Sequence, residues 1–233
     1  MTNAAQEDYL KAIYEVQLHS PDKPVGTAIL AKKLGVSLPS VTGMFKKLAA
    51  SKLVKYHRYR GVNLTPKGEE IALHVIRRHR LIESFLVEVL GFTWDEVHLE
   101  ADRLEHVMSE KLEGRIATLL NDPKIDPHGD PIPGKDKSTS QLQIEVPLTH
   151  VEVGHAALIK RVSDEDPELL RYLGRLDLTP RERVEVVERG PFGGPVHVRV
   201  TATGVTHPLS RFVTDQIFVA SESQDPSWSD THA

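Results

Sequence analysis

The sequence of 233 residues predicts a mainly α chain with small β parts: a helix-and-hairpin unit, a run of longer helices and a small β barrel. Three observations predict it. Two short helical segments joined by a glycine-containing turn precede a basic strand–turn–strand segment. Three capped helices then run to Asn121. Beyond a Pro- and Gly-rich stretch, the hydrophobic period falls from about 3.6 to about 2.

Gln6, Leu10, Ile13, Tyr14 and Gln17 mark the first helix at i, i+4, i+7, i+8 and i+11, and Pro21 and Pro24 stop it. Thr27–Leu34 forms the second, closed by Gly35. Ser37 caps the third, with Pro39 in the first turn, where its missing N–H loses no helical bond. Val41, Met44, Phe45 and Leu48 are its apolar stripe. Leu53–Tyr56 and Val62–Leu64 read as strands about an Arg58–Gly61 turn, which completes a winged helix-turn-helix. Thr65, followed by Pro66, caps a long fourth helix that reaches Leu90 and stops at Gly91. Thr93 caps a fifth, from Trp94 to Met108, and Ser109 a sixth, ending near Asn121. The apolar density of Leu81–Trp94 exceeds what packing within one chain needs, which points to a homodimer. Pro123–Lys137 holds four prolines and two glycines and reads as a linker. Leu142–Val146, Ala157–Val162, Val184–Glu188, Val196–Val200 and Ile217–Val219 supply five short strands, with a hairpin loop at Gly190–Pro195. Ser221–Ala233 reads as a flexible tail.

The absence of cysteine removes disulfides, thiol nucleophiles, iron–sulfur clusters and cysteine-based zinc sites. No apolar run approaches the roughly 20 residues needed to span a bilayer. The start, Met1–Asp8, is too short and polar for a secretory signal, so a cytoplasmic chain with no membrane segment is expected. The net charge of −4 hides an asymmetry. Lys32 to Lys67 carries nine cations (Lys32, Lys33, Lys46, Lys47, Lys52, Lys55, Arg58, Arg60 and Lys67) and no Asp or Glu. A solvated basic surface is one reading. On a winged helix, the stronger one is a footprint for the phosphates of double-stranded DNA. Ser37, Pro39, Ser40, Thr42 and Gly43 lead the recognition helix, and Thr27 heads the helix before it. Short side chains there predict contact with thymine methyls and hydroxyl hydrogen bonds, while Lys46, Lys47, Arg58 and Arg60 hold phosphates.

The fifth helix places His98, Asp102, Glu105 and His106 on one face, at i, i+4, i+7 and i+8. The stripe Val97, Ala101, Leu104 and Met108 lies one residue behind, so these four border a buried seam. His79 and Glu83 stand one turn apart on the fourth helix, and Asp8 lies beside the Tyr9–Leu10 edge of the first. Salt bridges to Arg78, Arg80 and Arg103 are the plain alternative. Carboxylates gathered from three helices would otherwise repel, and a divalent cation resolves that repulsion. A metallohydrolase would need a substrate-accessible pocket, and the His-Glu-x-x-His motif is absent. No enzyme and no small-molecule substrate are expected.

Taken with Asp8-Tyr-Leu…Ile13-Tyr14, Arg78-His-Arg-Leu, Glu105-His-Val-Met-Ser109 and His128-Gly-Asp-Pro-Ile-Pro-Gly134, this order of parts resembles the diphtheria toxin repressor family of iron- and manganese-dependent regulators, in its three-domain form. The resemblance implies a winged helix-turn-helix over 1–65, metal-binding and dimerisation helices over 66–122, a linker over 123–140, an SH3-like, FeoA-like domain over 141–220, and a tail. It implies two metal positions per subunit: a regulatory one matching Asp8, Asp102, Glu105 and His106, and an ancillary one matching His79, Glu83 and His98. Glu165 and Glu168 have suitable type and spacing to complete the second. Iron sensors of the family carry Met and Cys where this chain has Asp8 and Asp102, and that exchange of sulfur for oxygen favours Mn²⁺. The manganese sensors often have a second helix-one carboxylate where this chain has Lys11. The implied function is a Mn²⁺-activated repressor of manganese and iron homeostasis genes, binding a palindromic operator as a homodimer. An Fe²⁺-responsive repressor and a metal-independent winged-helix regulator are the alternatives.

Overall fold

The computed structural model describes residues 2–18, 20–135 and 145–221, with Ser221 described by its backbone alone. The chain divides into two compact units, one built on the residues up to His79 with Ala101–Arg115, the other on Arg80–Glu100, Ile116–Ile132 and the C-terminal β domain.

The first unit opens with α1 (Ala4–Leu18), α2 (Thr27–Leu34) and α3 (Leu38–Ala50). Gly35 ends α2 in the left-handed conformation, its N–H bonded to the Ala31 carbonyl. Ser37 caps α3 by accepting from the Ser40 N–H at 3.3 Å. The wing is β1 (Val54–His57) paired antiparallel with β2 (Gly61–Leu64), Val54 opposite Leu64 and His57 opposite Gly61. Gly61 has φ 115° and lies so close to the chain before α2 that a Cβ there would stand 2.0 Å from the Val25 carbonyl oxygen. Only glycine lets the wing dock there. Leu10, Ile13, Leu30, Val41, Phe45, Leu48 and Val62 are fully buried in one core, so α1 is integral to the winged helix.

Three further helices, α4 (Pro66–Glu88), α5 (Val97–Leu104) and α6 (Glu110–Leu119), contribute residues to both units. The fifth helix is shorter than its hydrophobic pattern suggests. Thr93 Oγ1 and the Thr93 N–H both donate to Glu96 Oε2, which closes a separate turn ahead of α5. After Leu104 the chain turns out of the helix, keeping the helical bond from Glu105 N–H to the Ala101 carbonyl.

In the second unit, β3 (Val146–Pro147), β4 (Ala156–Val162), β5 (Arg183–Arg189), β6 (Val196–Val200), β7 (Thr206–Leu209) and β8 (Ile217–Ser221) form an antiparallel sheet in the order β3-β8-β4-β5-β6-β7. Alternate residues of β4, β5, β6 and β8 fill one core with α7 (Pro167–Arg175), and α8 (Arg211–Thr214) leads into β8. This is a six-stranded sheet, one strand more than the sequence reading gives, and α7, β7 and α8 are additions. The Gly190–Pro195 loop does join β5 to β6.

The expected linker is ordered over its described part. Asp126 Oδ1 accepts from the N–H groups of His128 and Asp130, both at 2.9 Å, and Ile125 bridges to Pro131. Residues 136–144 and the tail beyond 221 lie outside the described residues, as does most of the expected strand Leu142–Val146. Among the described residues no helix is long and apolar enough to cross a membrane.

Candidate metal centre and nucleic-acid interface

One cluster joins α1 to α4 and to the turn after α5. His106 lies between two carboxylates of α1: its Nδ1 is 2.8 Å from Glu7 Oε2, and its Nε2 is 2.7 Å from Asp8 Oδ1. Glu105 Oε1 stands 3.4 Å from the same Nε2. Ligand atoms of Asp8, Glu105 and His106 all lie within 4.8 Å of one another. The other Glu105 oxygen faces His79 Nδ1 at 2.5 Å and Lys11 Nζ at 2.9 Å. Asp102 Oδ1 joins this second side, 3.3 Å from His79 Nδ1 and 3.1 Å from Lys11 Nζ. Glu105 is therefore the shared residue, and at 1% exposure it has no access to water that could screen it.

The electrostatics follow from that burial. Burial pushes the Asp8 carboxyl up, with His106 opposing the shift. Burial works to discharge His106, but the Glu7 hydrogen bond and the Glu105 and Asp8 charges prevail and raise its pKa. A proton is thus held among donors that otherwise present negative charge.

A second cluster gathers on residues of the other unit. His98 Nδ1 is 3.3 Å from Glu83 Oε1 and 3.3 Å from Asp164 Oδ2. On the far side of the same carboxylate, Glu83 Oε2 is 3.7 Å from His128 Nδ1, and ligand atoms of Glu83, Asp126 and His128 lie within 4.8 Å of one another. All three residues are buried. His128 Nε2 donates to the Trp94 carbonyl at 2.7 Å, which directs Nδ1 at the carboxylates. Neither His128 Nδ1 nor Asp126 Oδ2 makes a hydrogen bond, although the Arg80 guanidinium stands 3.5 Å from that Asp126 oxygen. Burial disfavours charge on His128, yet the adjoining Glu83, with Asp126 and Asp164, pushes its pKa up to about 9. Burial, with the Asp130 and Glu83 charges, pushes Asp126 well above the usual carboxylate range. A backbone carbonyl acceptor behind an imidazole, and buried ligand-type atoms converging on one point, are what a cation site requires.

The placements differ from the sequence expectations in three respects. Asp164 completes the second cluster, whereas Glu165 and Glu168 are exposed and outside it. Asp126 and His128 join Glu83 from a segment read as linker. Asp102 sits with His79 Nδ1, which faces Glu105, rather than beside Asp8. Glu7, Lys11, Asp126, His128 and Asp164 carried no helical spacing that would single them out. The turn bearing Asp126 and His128 reaches the sheet through Gly129, where φ is 93° and a Cβ would stand 1.9 Å from the Lys160 carbonyl oxygen. The His128 carbonyl accepts from the Val162 N–H at 2.9 Å.

The nucleic-acid face is open. Ser37, Pro39, Ser40, Gly43, Lys46 and Lys47 are exposed on α3, with Thr27 and Thr42 half-buried, and Arg58 and Arg60 are exposed on the wing. Thr42 Oγ1 donates to the Leu38 carbonyl at 3.0 Å. Arg58 stacks on Tyr59, 4.8 Å from its ring centre, and Tyr59 is 87% exposed, so the wing tip presents an aromatic group beside two guanidinium groups. Lys33, inside the basic run, pairs with Glu15 at 3.1 Å.

A winged helix with a basic face, built around the same helix that supplies carboxylates to a buried polyvalent centre, defines a metal-dependent DNA-binding regulator. Residues 1–62 match the N-terminal DNA-binding domain of iron-dependent repressors, 65–134 their metal-binding and dimerisation domain, and 146–221 the FeoA domain. The iron-dependent repressor IdeR of Mycobacterium leprae is 34% identical over 214 residues, covering 87% of this chain and 91% of that protein. The diphtheria toxin repressor of Corynebacterium diphtheriae is 31% identical over 192 residues, covering 78% and 84%. A manganese-dependent transcriptional repressor solved in complex with manganese superposes with TM-score 0.86 at 40% identity, covering 93% of this chain and 99% of its own. The manganese-activated repressor ScaR, solved in its apo form, superposes with TM-score 0.76 at 33% identity, covering 92% and 99%. The chain belongs to the diphtheria toxin repressor family of metal-dependent transcriptional regulators.

Proposed function

We propose that this chain is a Mn²⁺-activated repressor that binds a palindromic operator as a homodimer and controls manganese and iron homeostasis genes. One observation carries the reading: Asp8, on a helix integral to the winged helix, lies 2.7 Å from His106, and buried Glu105 completes the group. Asp8, Glu105 and His106 would hold the regulatory ion, with Asp102 on the other side of Glu105. Glu83, His98, Asp126, His128 and Asp164 offer donors for a second ion. Bound there, an ion would add positive charge among these converging carboxylates. All donors are carboxylate or imidazole, a set that suits Mn²⁺ and offers no sulfur to softer ions.

Leu10 and Ile13 tie α1 into the winged-helix core, while Glu7 and Asp8 face His106 from the same helix. Fixing Asp8 against Glu105 and His106 therefore fixes the recognition helix. In a dimer, the two recognition helices must sit roughly 34 Å apart, or a multiple, to meet successive major grooves. The exposed apolar side chains Val89, Leu90, Phe92 and Leu99, and separately Leu104, Val107 and Leu112, support burial against a second copy. A 100-fold preference of the ion for the DNA-competent state supplies about 2.7 kcal/mol, enough to switch binding.

The test is capture of genomic fragments on the full chain with Mn²⁺, with Fe²⁺ under anaerobic conditions, and with a chelator, read by sequencing. Metal-dependent enrichment of palindromic sites is expected, with Mn²⁺ effective at lower free concentration. Equal retention in chelator would establish the metal-independent regulator instead.

A further inference from the structure

We propose that Lys11 is a built-in cation of the regulatory centre: its ammonium takes the position between His79, Asp102 and Glu105, leaving one exchangeable ion, at Asp8, Glu105 and His106. The proposal rests on the metal-dependent reading above and adds how many ions the centre takes and what holds it in their absence.

The geometry is that of a coordinated cation. Lys11 Nζ lies 2.9 Å from Glu105 Oε2, 3.1 Å from Asp102 Oδ1 and 2.9 Å from His79 Nδ1, so three donor-type side chains from α4, α5 and the turn after α5 surround one nitrogen from α1. These same three residues form one of the groups whose ligand atoms lie within 4.8 Å of one another. The space is taken. An ion at the roughly 2.0–2.2 Å that imidazole and carboxylate bonds require would overlap Nζ and face a like charge. The Lys11 side chain is only 14% exposed, and an ammonium is kept there by ion pairs rather than by water.

Two consequences separate this role from an ordinary salt bridge. The lysine spans the α1 and post-α5 elements that the regulatory ion joins, and reaches α4 and α5 as well, so α1 is held there before metal arrives, and metal completes a docked helix rather than recruiting a free one. The position also converts to a metal site when the ammonium is exchanged for a carboxylate.

The test counts Mn²⁺ per chain by equilibrium dialysis in the full-length wild type and in Asp8→Ala, Lys11→Glu, Lys11→Arg and Lys11→Met. Asp8→Ala should lose one ion and Lys11→Glu should gain one, while Lys11→Arg keeps the wild-type count. Lys11→Met reports on docking: metal-free, its α1 amides should exchange about tenfold faster than in the wild type, as expected for loss of hydrogen bonds to a charged group. If Lys11→Glu fails to fold without metal, refolding it in Mn²⁺ gives the same count. An Asp8→Ala chain that loses no ion overturns the metal reading of the centre itself. An Asp8→Ala chain that loses one, beside a Lys11→Glu chain that gains none, overturns the assignment of Lys11 alone, as does unchanged α1 exchange in Lys11→Met.

Discussion

Glu7→Gln isolates the orientation of His106 from its role as a donor. Glu7 Oε2 accepts from His106 Nδ1 at 2.8 Å, and the ring nitrogen left over, Nε2, faces Asp8 and Glu105. Glutamine keeps the length and shape of the side chain but removes its charge, so the ring loses the partner that fixes its tautomer and raises its basicity. The bond is short, and its residues are poorly exposed (13% for the His106 side chain and 18% for that of Glu7), so solvent competes weakly for it. A hydrogen bond to a charged group in such a setting contributes about 1.5–3 kcal/mol. Loss of a carboxylate behind a metal-binding histidine costs roughly 10- to 100-fold in affinity, or about 1.4–2.7 kcal/mol, and the two ranges agree. The assay is fluorescence anisotropy of a labelled operator, titrated with Mn²⁺ at fixed protein. The half-maximal Mn²⁺ concentration should rise 10- to 100-fold, and saturating Mn²⁺ should restore the wild-type operator affinity. His106→Ala should show no such recovery. An unchanged midpoint in Glu7→Gln, or full recovery in His106→Ala, would refute the reasoning.

Removing Arg58 and Arg60 together should weaken operator and scrambled DNA alike and lower the slope of log K against log salt by about 0.9 per lost phosphate contact; an unchanged slope places the footprint elsewhere. Metal binding at the second cluster should release protons below about pH 9: with its pKa raised to about 9, metal-free His128 holds a proton that coordination must displace, so metal affinity falls as pH drops through that value. Calorimetry in buffers of different ionisation enthalpy measures this, and His128→Ala should abolish that share. Asp8→Met should strengthen activation by Co²⁺ relative to Mn²⁺, and an unchanged preference would defeat the ligand-hardness argument. Gly129→Ala should lower the thermal midpoint of the β domain, because the added Cβ collides with the Lys160 carbonyl; circular dichroism reads it directly.

The helical half of the molecule was legible because its signals are local. Ser37, Gly35, Thr65 and Pro66 mark helix ends by chemistry that acts within one turn, and the spacing of His98, Asp102, Glu105 and His106 needs only the helical period. Even so, α5 begins only at Val97, since the Glu96 carboxylate accepts from Thr93 and closes a turn of its own ahead of the helix. The donors that sequence reading missed depend on distant approach. Asp126 and His128 belong to a turn that reaches β4 only because Gly129 admits the Lys160 carbonyl, and Asp164 follows β4 directly. No periodicity records such contacts. Helix α7 is a different case: the Asp166 cap, Pro167 and the leucines 169, 170 and 173 are local signals, passed over in a region read as strands.

Donor type alone does not select manganese. Divalent ions later in the first row bind a given nitrogen and oxygen site more tightly, so carboxylate and imidazole donors weaken the bias of a sulfur site without reversing the order. Selection must then come from the number of positions offered and the charge they tolerate, as well as from the ions available. In the regulatory cluster both are set by Lys11, which occupies one side of Glu105 and leaves Asp8 and His106 on the other. A site made of half-exposed Asp8, half-buried His106 and buried Glu105 is open to solvent on the Asp8 side, where water would complete a six-coordinate shell around a hard ion. A tetrahedral ion would gain nothing from that water. On this argument the lysine and the exposure of Asp8 tune metal choice together, and Lys11→Glu should shift the order of activating metals as well as their count.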